Sequence, residues 1–305
     1  MGFDGGPTPP WIMKQLRAYR KPLDLPLHRL LKGYAGKMLS SVSPETSSEI
    51  RKSPFSKTLP LSGRLIRNGH FLDAIANGNH VLIRDFMRDY WSSAASDEFY
   101  DQLSHRYETL FLRYHSAIVR ETAAAIRRTG FAFRQFVEIG SGDGKILDHF
   151  SRNLGGIASF HGVDVNRVQV ENNRVRYRSN PKLTFHHCDG ATWLRDHAVP
   201  GTVFATNGGV LEYFTREELE SLFRQLAAEC SPCVVSLTES IAADHDLSSE
   251  DRTYPYGWEL SLSHNYVTLL REAGFTITHV NDRLTTPEES DTTGRWLQVV
   301  AVKAG

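Results

Sequence analysis

Long apolar runs are missing from this 305-residue chain, and with them any segment expected to cross a bilayer. The opening residues bring glycine and proline where a secretory leader would carry an apolar core. Gly2 does not mark a myristoylation site, because position 6 is Gly and not Ser or Thr. Cysteine is scarce too: three residues, an odd number, build no disulfide framework. A cytoplasmic protein without a membrane partner is therefore expected. Metal-ligand spacings such as H-E-x-x-H do not occur among the histidines, so no metal is implied. Cys230-Ser231-Pro232-Cys233 is a C-x-x-C without a second pair to complete a zinc site. It falls at a helix end leading into a strand, and a structural role is expected.

The composition that remains, 40% hydrophobic and 23% charged, is globular. The length suits one large domain with appendages or two domains. Net charge is zero but unevenly spread. Residues 1–70 hold twelve Lys/Arg against four Asp/Glu, and residues 131–305 hold sixteen against twenty-three. This predicts two parts that attract one another and pack. A basic arm for nucleic acid or an anionic substrate is the sharper alternative. The basic residues form no run, so a nucleic-acid partner is not expected.

Residues 1–60 are broken by eight prolines into short pieces. Helical spacing appears over 64–91 in two pieces around Gly78, and over 97–129, where Tyr100, Leu103, Tyr107, Leu110, Phe111, Tyr114 and Ile118 recur at three- and four-residue steps until Gly130. From Phe133 strands and helices alternate, which predicts a parallel sheet covered on both faces. Strands are expected near 135–140, 158–164, 182–186, 202–206, 233–238, 275–281 and 295–303. Helices are expected near 144–154, 166–179, 191–197, 215–229 and 263–273. Thr215 and Glu218 form a capping box, and Gly274 ends the last helix. No helix fits between the last two strands, so they should pair antiparallel.

The most informative stretch is Val137-Glu138-Ile139-Gly140-Ser141-Gly142-Asp143-Gly144. It reads as a strand, a glycine-rich turn and a helix start, where a ligand can press against the backbone without meeting a Cβ. The acid before the first glycine suits a ligand that brings a positive charge. Dinucleotide sites space their glycines G-x-G-x-x-G around a pyrophosphate. Here the third glycine comes one residue early, and Glu138 and Asp143 would repel a pyrophosphate. Two further acids, Asp164 and Asp189, end the next two strands. Glycine loop and acids thus fall at successive carboxyl ends of parallel strands, where ligands of open α/β sheets bind.

This segment resembles the first motif of the class I S-adenosylmethionine (SAM)-dependent methyltransferases, and the resemblance covers residues 133–305. It implies a seven-stranded, mostly parallel, doubly wound α/β sheet closed by an antiparallel hairpin. The domain would span 97–305, with 1–96 as a helical or irregular N-terminal extension serving as a lid, a substrate region or a homodimer surface. It also implies SAM as cofactor. Gly140, Gly142 and Gly144, with Ser141, would receive its amino-acid part and Glu138 its ammonium. Asp164, with Val165, would take the ribose. Asp189, with Gly190, would take the adenine, which Ala191 and Trp193 would flank.

Thr206-Asn207-Gly208-Gly209-Val210-Leu211-Glu212-Tyr213-Phe214 follows the fourth strand, where this family places the methyl group and the acceptor. Asn207 is expected at the cofactor and the nucleophile, and Glu212 is weighed between substrate contact and structure. The Asn-Pro-Pro-aromatic signature of adenine- and glutamine-directed N-methyltransferases is absent. His264, at the start of the last helix, is the first choice of general base, against a packing role. Tyr100, Tyr107, Glu239 and Tyr266 are further choices for the substrate pocket. The expected activity is methyl transfer to an oxygen or nitrogen of a small molecule. The alternatives are a cationic amine or guanidinium acceptor, favoured by acids near the same mouth, and a protein or nucleic acid bound through the basic N-terminal region.

Overall fold

The computed structural model describes residues 17–55, 59–93, 96, 105–257, 260–285 and 294–305. Its centre is a seven-stranded sheet in the order β3-β2-β1-β4-β5-β9-β8. The strands are β1 Gln135–Ile139, β2 Ser159–Asp164, β3 Leu183–His187, β4 Thr202–Asn207, β5 Cys233–Ile241, β8 Thr276–Thr285 and β9 Gly294–Lys303. The first five run parallel, while β9 lies antiparallel between β5 and β8. The expected strands and the closing hairpin all appear. Among the strands, sequence periodicity misses the short hairpin of β6 Tyr254–Tyr256 and β7 Ser261–Ser263, which pairs apart from the main sheet. Three-residue strands are too short to leave a period-2 signature.

Strand interiors such as Val137, Phe204, Val235 and Val299 are buried without remainder, as a sheet covered on both faces requires. One side is sealed by helices Ala117–Thr129 (α5), Lys145–Asn153 (α6) and Arg167–Arg176 (α7), the other by Gly190–His197 (α8), Arg216–Glu229 (α9) and Tyr266–Glu272 (α10). Thr215 and Glu218 form the reciprocal capping box at the start of α9. Cys230 and Cys233 are buried in the core, where burial raises their thiols to about 11 and about 12. That is the environment of inert packing thiols.

The N-terminal part is helical, with α1 Leu27–Val42, α2 Pro44–Lys52, α3 Leu61–Asn77 and α4 His80–Ser92. Helices α1 and α3 touch backbone to backbone. A Cβ on Gly36 would lie 1.9 Å from the Leu65 carbonyl oxygen, and one on Gly69 2.8 Å from Gly36. Phe71, Leu72, Ile83 and Phe86 bury themselves with Leu260 and Leu262 of the small hairpin, each worth about 1.5–3 kcal/mol. Ion pairs join residues before α5 to the sheet domain: Arg20 with Asp244 and Glu250, Arg84 with Glu218, and Arg88 with Asp189. Between α4 and α5 runs a π-helical segment, Tyr107–His115, in which Ser116 N donates to the Phe111 carbonyl at 2.7 Å. Its wider turn keeps residues four apart, Tyr107, Phe111 and His115, in one row. No described helix is long and apolar enough to cross a membrane.

Candidate active site

A cavity of about 490 Å³ lies across the carboxyl ends of the parallel strands. Its floor is the glycine loop. Gly140 has φ +69°, and a Cβ there would sit 2.5 Å from a Val210 methyl, so backbone conformation and space both require glycine. Gly142 N donates to Asp164 Oδ2 at 2.9 Å, while Asn166 N donates to Oδ1 at 2.8 Å. Asp164 therefore stitches the loop to the tip of β2. Burial raises its pKa, against the backbone N–H groups that favour the ionised form.

Glu138 sits at the centre of the sheet, flanked in register by Gly162 and Ala205. Its Oε1 accepts from Asn207 Nδ2 at 2.8 Å, and its Oε2 has no partner. Desolvation is the chief cause that lifts its pKa to about 8, helped by the charges of Asp143 and Asp164. A buried carboxylate oxygen left open is costly unless a cation or donor arrives. Ser141 Oγ and Asn207 Oδ1, also on residues lining the cavity, have no partner either.

The structure brings Glu138, Gly140, Ser141, Gly142, Asp164, Val165, Asp189, Gly190, Asn207, Glu212 and Tyr107 together around this cavity. Asp189 arrives already engaged: Oδ1 caps α8 by accepting from Thr192 N, and Oδ2 pairs with Arg88 at 3.0 Å. Tyr107 presents its ring, but its hydroxyl lies 2.9 Å from His149 Nδ1. Glu212 Oε2 accepts from Ser240 Oγ at 2.7 Å and from the Tyr256 hydroxyl.

Other expected residues stand elsewhere. Gly144 does not line the cavity. Its φ of +74° caps α6, and a Cβ would meet the Tyr177 and Phe185 rings at 2.7 and 3.0 Å. His264 is fully buried outside the cavity, two residues before α10, with Nδ1 2.9 Å from Thr253 Oγ1. Burial and the nearby His80 and His245 lower its pKa to about 3, so it packs as a neutral core histidine. Glu239 is fully buried beneath the cavity, where Oε2 accepts from Val210 N and Leu211 N at 2.9 Å and Oε1 from the Thr206 hydroxyl. It anchors the loop after β4. Tyr266 is likewise buried away from the cavity, and Trp193 packs in the core against His161 and His186. Tyr100 lies outside the described residues.

Sequence reasoning missed the far wall. Arg88 and Trp91 of α4, Phe111 and His115 of the π-helical segment, Ser240 of β5, Tyr256 of the hairpin and Trp296 of β9 all line the cavity. One signal was present: His115 sits four residues after Phe111 and three before Ile118, a polar residue on an apolar helical stripe. Among the described residues no group of His, Cys, Asp and Glu could hold a metal ion.

Residues 136–232 match the family model described as a methyltransferase domain. No curated protein matches the chain. Among solved structures, magnesium protoporphyrin IX methyltransferase (ChlM) from Synechocystis PCC 6803 with bound SAH is similar at 14% identity, with 72% of this chain and 99% of that one covered and a TM-score of 0.49. The N-methyltransferase NodS from Bradyrhizobium japonicum WM9 is similar at 12% identity, with 69% and 99% covered and a TM-score of 0.45. The [4+2]-cyclase SpnF is similar at 17% identity, with 63% and 83% covered and a TM-score of 0.44.

Proposed function

We propose that this chain, a class I SAM-dependent methyltransferase by the domain matched at residues 136–232, methylates an oxygen or nitrogen of a small molecule. The observation that carries the proposal is Glu138, a residue that lines a cavity of about 490 Å³ and whose buried Oε2 is the one carboxylate oxygen without a partner among the described residues. That volume falls within the range of small-molecule pockets, about 300–1,000 Å³.

The residues present fit the cofactor. Glu138 Oε2 would take the ammonium of its amino-acid part, beside Ser141 and Asn207. Asp164 would take the ribose hydroxyls, and Asp189 would face the base at the tip of β3. Bound SAM supplies a methyl carbon on a positively charged sulfur, which leaves as a neutral thioether. The protein's part is to hold the acceptor in line with that carbon, and such positioning contributes up to about 7–11 kcal/mol.

The N-terminal helices would complete the pocket and not merely decorate it. Arg88 and Trp91 of α4 reach the cavity, and the Trp91 ring lies 5.5 Å from that of Tyr213. This contact supports a substrate-shaping role for residues before 97. The test is calorimetry with SAM, followed by incubation with isotopically labelled SAM and a metabolite extract, read by mass spectrometry. Micromolar SAM binding and a labelled small-molecule product are expected. No SAM binding, or label found solely in protein or nucleic acid, would overturn the proposal.

A further inference from the structure

Helix α1 turns its small residues inward and its large ones outward. Gly33 and Gly36 are buried against α3, where a Cβ on Gly33 would lie 2.9 Å from Leu72 and one on Gly36 1.9 Å from the Leu65 carbonyl oxygen. On the opposite side Leu27, Leu31, Tyr34, Met38 and Val42 stand 53% to 75% exposed. At 3.6 residues per turn, their spacing keeps all five within about 80° of arc along the whole helix. No other described element exposes more than two large apolar side chains. Single apolar residues on a surface are ordinary, whereas a continuous patch marks a contact. The glycine contacts with α3 lie on the other side of the helix, so the fold itself leaves the stripe uncovered among the described residues.

We propose that α1 is a dimer interface, pairing with α1 of a second copy of this chain about a twofold axis near Tyr34. The shape of the stripe favours a helix as its partner. Leu27, Leu31, Tyr34 and Met38 keep the alternating four-three step of a coiled-coil seam, narrower than the 100° or more of a helix that faces a broad apolar surface. The stripe is also self-complementary. A twofold axis across the helix runs the two copies antiparallel, with Leu27 and Leu31 of one level with Val42 and Met38 of the other. The area is sufficient. A large aliphatic side chain offers roughly 60–120 Å² to a partner, so five from each copy supply roughly 600–1,200 Å² of apolar contact. A standard interface buries about 1,200–2,000 Å² in all, somewhat over half of it non-polar. Charge does not oppose the pairing. The five seam residues are uncharged, Arg29 turns to the Gly257 carbonyl at 3.5 Å, and Lys37 is paired with Asp73 at 2.6 Å.

The pairing bears on the cavity without depending on the reaction performed there. Helix α3 packs on α4 through Phe71, Leu72, Ile83 and Phe86, and α4 carries Arg88 and Trp91 into the cavity wall. A second copy seated on α1 therefore braces from outside the helical layer that closes the cavity.

The test is the mass of the full-length protein in solution. Analytical ultracentrifugation up to about 100 μM, well above a micromolar Kd, should show twice the chain mass. A wild-type protein that stays monomeric would overturn the inference, and flotation on phosphatidylserine vesicles would then show whether a lipid surface takes the face. Leu31→Glu combined with Met38→Glu sets two charges in the contact and should weaken the dimer at least about 100-fold, with an unchanged circular dichroism spectrum. Val175→Glu, at an exposed position on α7, should leave the dimer intact. A dimer that tolerates both glutamates on α1, or that dissociates equally with Val175→Glu, is not built on this stripe. Tyr34→Cys supplies a readout that survives misfolding of the double variant. Oxidation should join two chains at the axis and double the mass on a denaturing gel, and the absence of that band would refute the proposed geometry.

Discussion

The two ends of the cavity are built on opposite principles. The glycine-loop end is assembled by short-range sequence: Glu138 and Gly140–Gly142 are consecutive, and Asp164 and Asp189 each close the next parallel strand. The far end is assembled by folding. His115, Ser240, Tyr256 and Trp296 are brought together from a π-helical segment, the fifth strand, a small hairpin and the antiparallel last strand. The glycine loop is tied to the neighbouring strand tip by Gly140 N on the Val163 carbonyl and Gly142 N on Asp164, while the second end depends on four elements keeping their relative places. Damage at the first end should therefore appear as lost cofactor affinity, and damage at the second as altered acceptor handling.

The largest effect is expected from Gly140→Val. The new side chain would collide with Val210 and force a β-branched residue to φ +69°, a conformation that costs about 1–3 kcal/mol by itself. SAM affinity measured by calorimetry should fall by at least about 100-fold, about 2.8 kcal/mol. Adding Val210→Ala should recover part of the loss by opening space. Wild-type affinity in Gly140→Val would mean that the loop does not form the cofactor floor.

Asp164→Ala comes next. It removes the acceptor for Gly142 N and Asn166 N, and hydrogen bonds to a charged group are worth about 1.5–3 kcal/mol each. SAM affinity should drop at least about tenfold, and Asp164→Asn, which keeps one oxygen, should lose less. Equal losses in the two variants would show that shape and not hydrogen bonding matters there.

What the sequence revealed follows the same division. The strand positions, the glycine loop and the three strand-end acids were legible because each is set by neighbours within a few residues. His264 was misassigned for a related reason. Its position just before α10 resembles that of a pocket residue, but the β6–β7 hairpin, invisible as a period, folds over it and buries it against Thr253. Glu239 failed likewise: as a strand-end acid it looks like Asp164, yet its Oε2 accepts from the Val210 and Leu211 N–H groups and its Oε1 from the Thr206 hydroxyl. His115 and Trp296 were out of reach because their proximity is a tertiary fact, carried by pairing of β5 with β9.

A pH titration sharpens the comparison at the cofactor end. Glu138 is protonated in the folded protein below about 8, against an ordinary value of 4.5. Capture of an ammonium favours the ionised form, so SAM binding should release a proton at neutral pH. Affinity should rise with pH, by at most about tenfold per unit, and level off as the pH passes about 8. Calorimetry in buffers of different ionisation enthalpy counts that proton, and Glu138→Gln should abolish it. The sign for stability is the reverse. Glu138 and Glu239 both have folded values of about 8, so the folded state holds more protons than the unfolded one between about 4.5 and that value. The stability of the cofactor-free protein should therefore decline as pH rises across this window, a trend that Tm against pH reports.

The smallest effect on the cofactor is expected from Tyr256→Phe, which tests whether the two ends are separable. The Tyr256 hydroxyl donates to Glu212 Oε2 and lies 2.6 Å from Ser240 Oγ. Ser240 alone still donates to the same carboxylate oxygen at 2.7 Å, so Glu212 keeps a partner when the phenol is lost. Removing one such bond costs about 1 kcal/mol, felt where the hairpin meets the acceptor and not at the strand tips of β1 and β2. The acceptor KM should rise about three- to tenfold while SAM affinity stays within twofold, as steady-state kinetics and calorimetry would show. A tenfold loss of SAM affinity in Tyr256→Phe would instead mean that the hairpin holds the loop after β4 in place through Glu212. The two ends would then act as one unit, and acceptor specificity could not be altered without disturbing the cofactor.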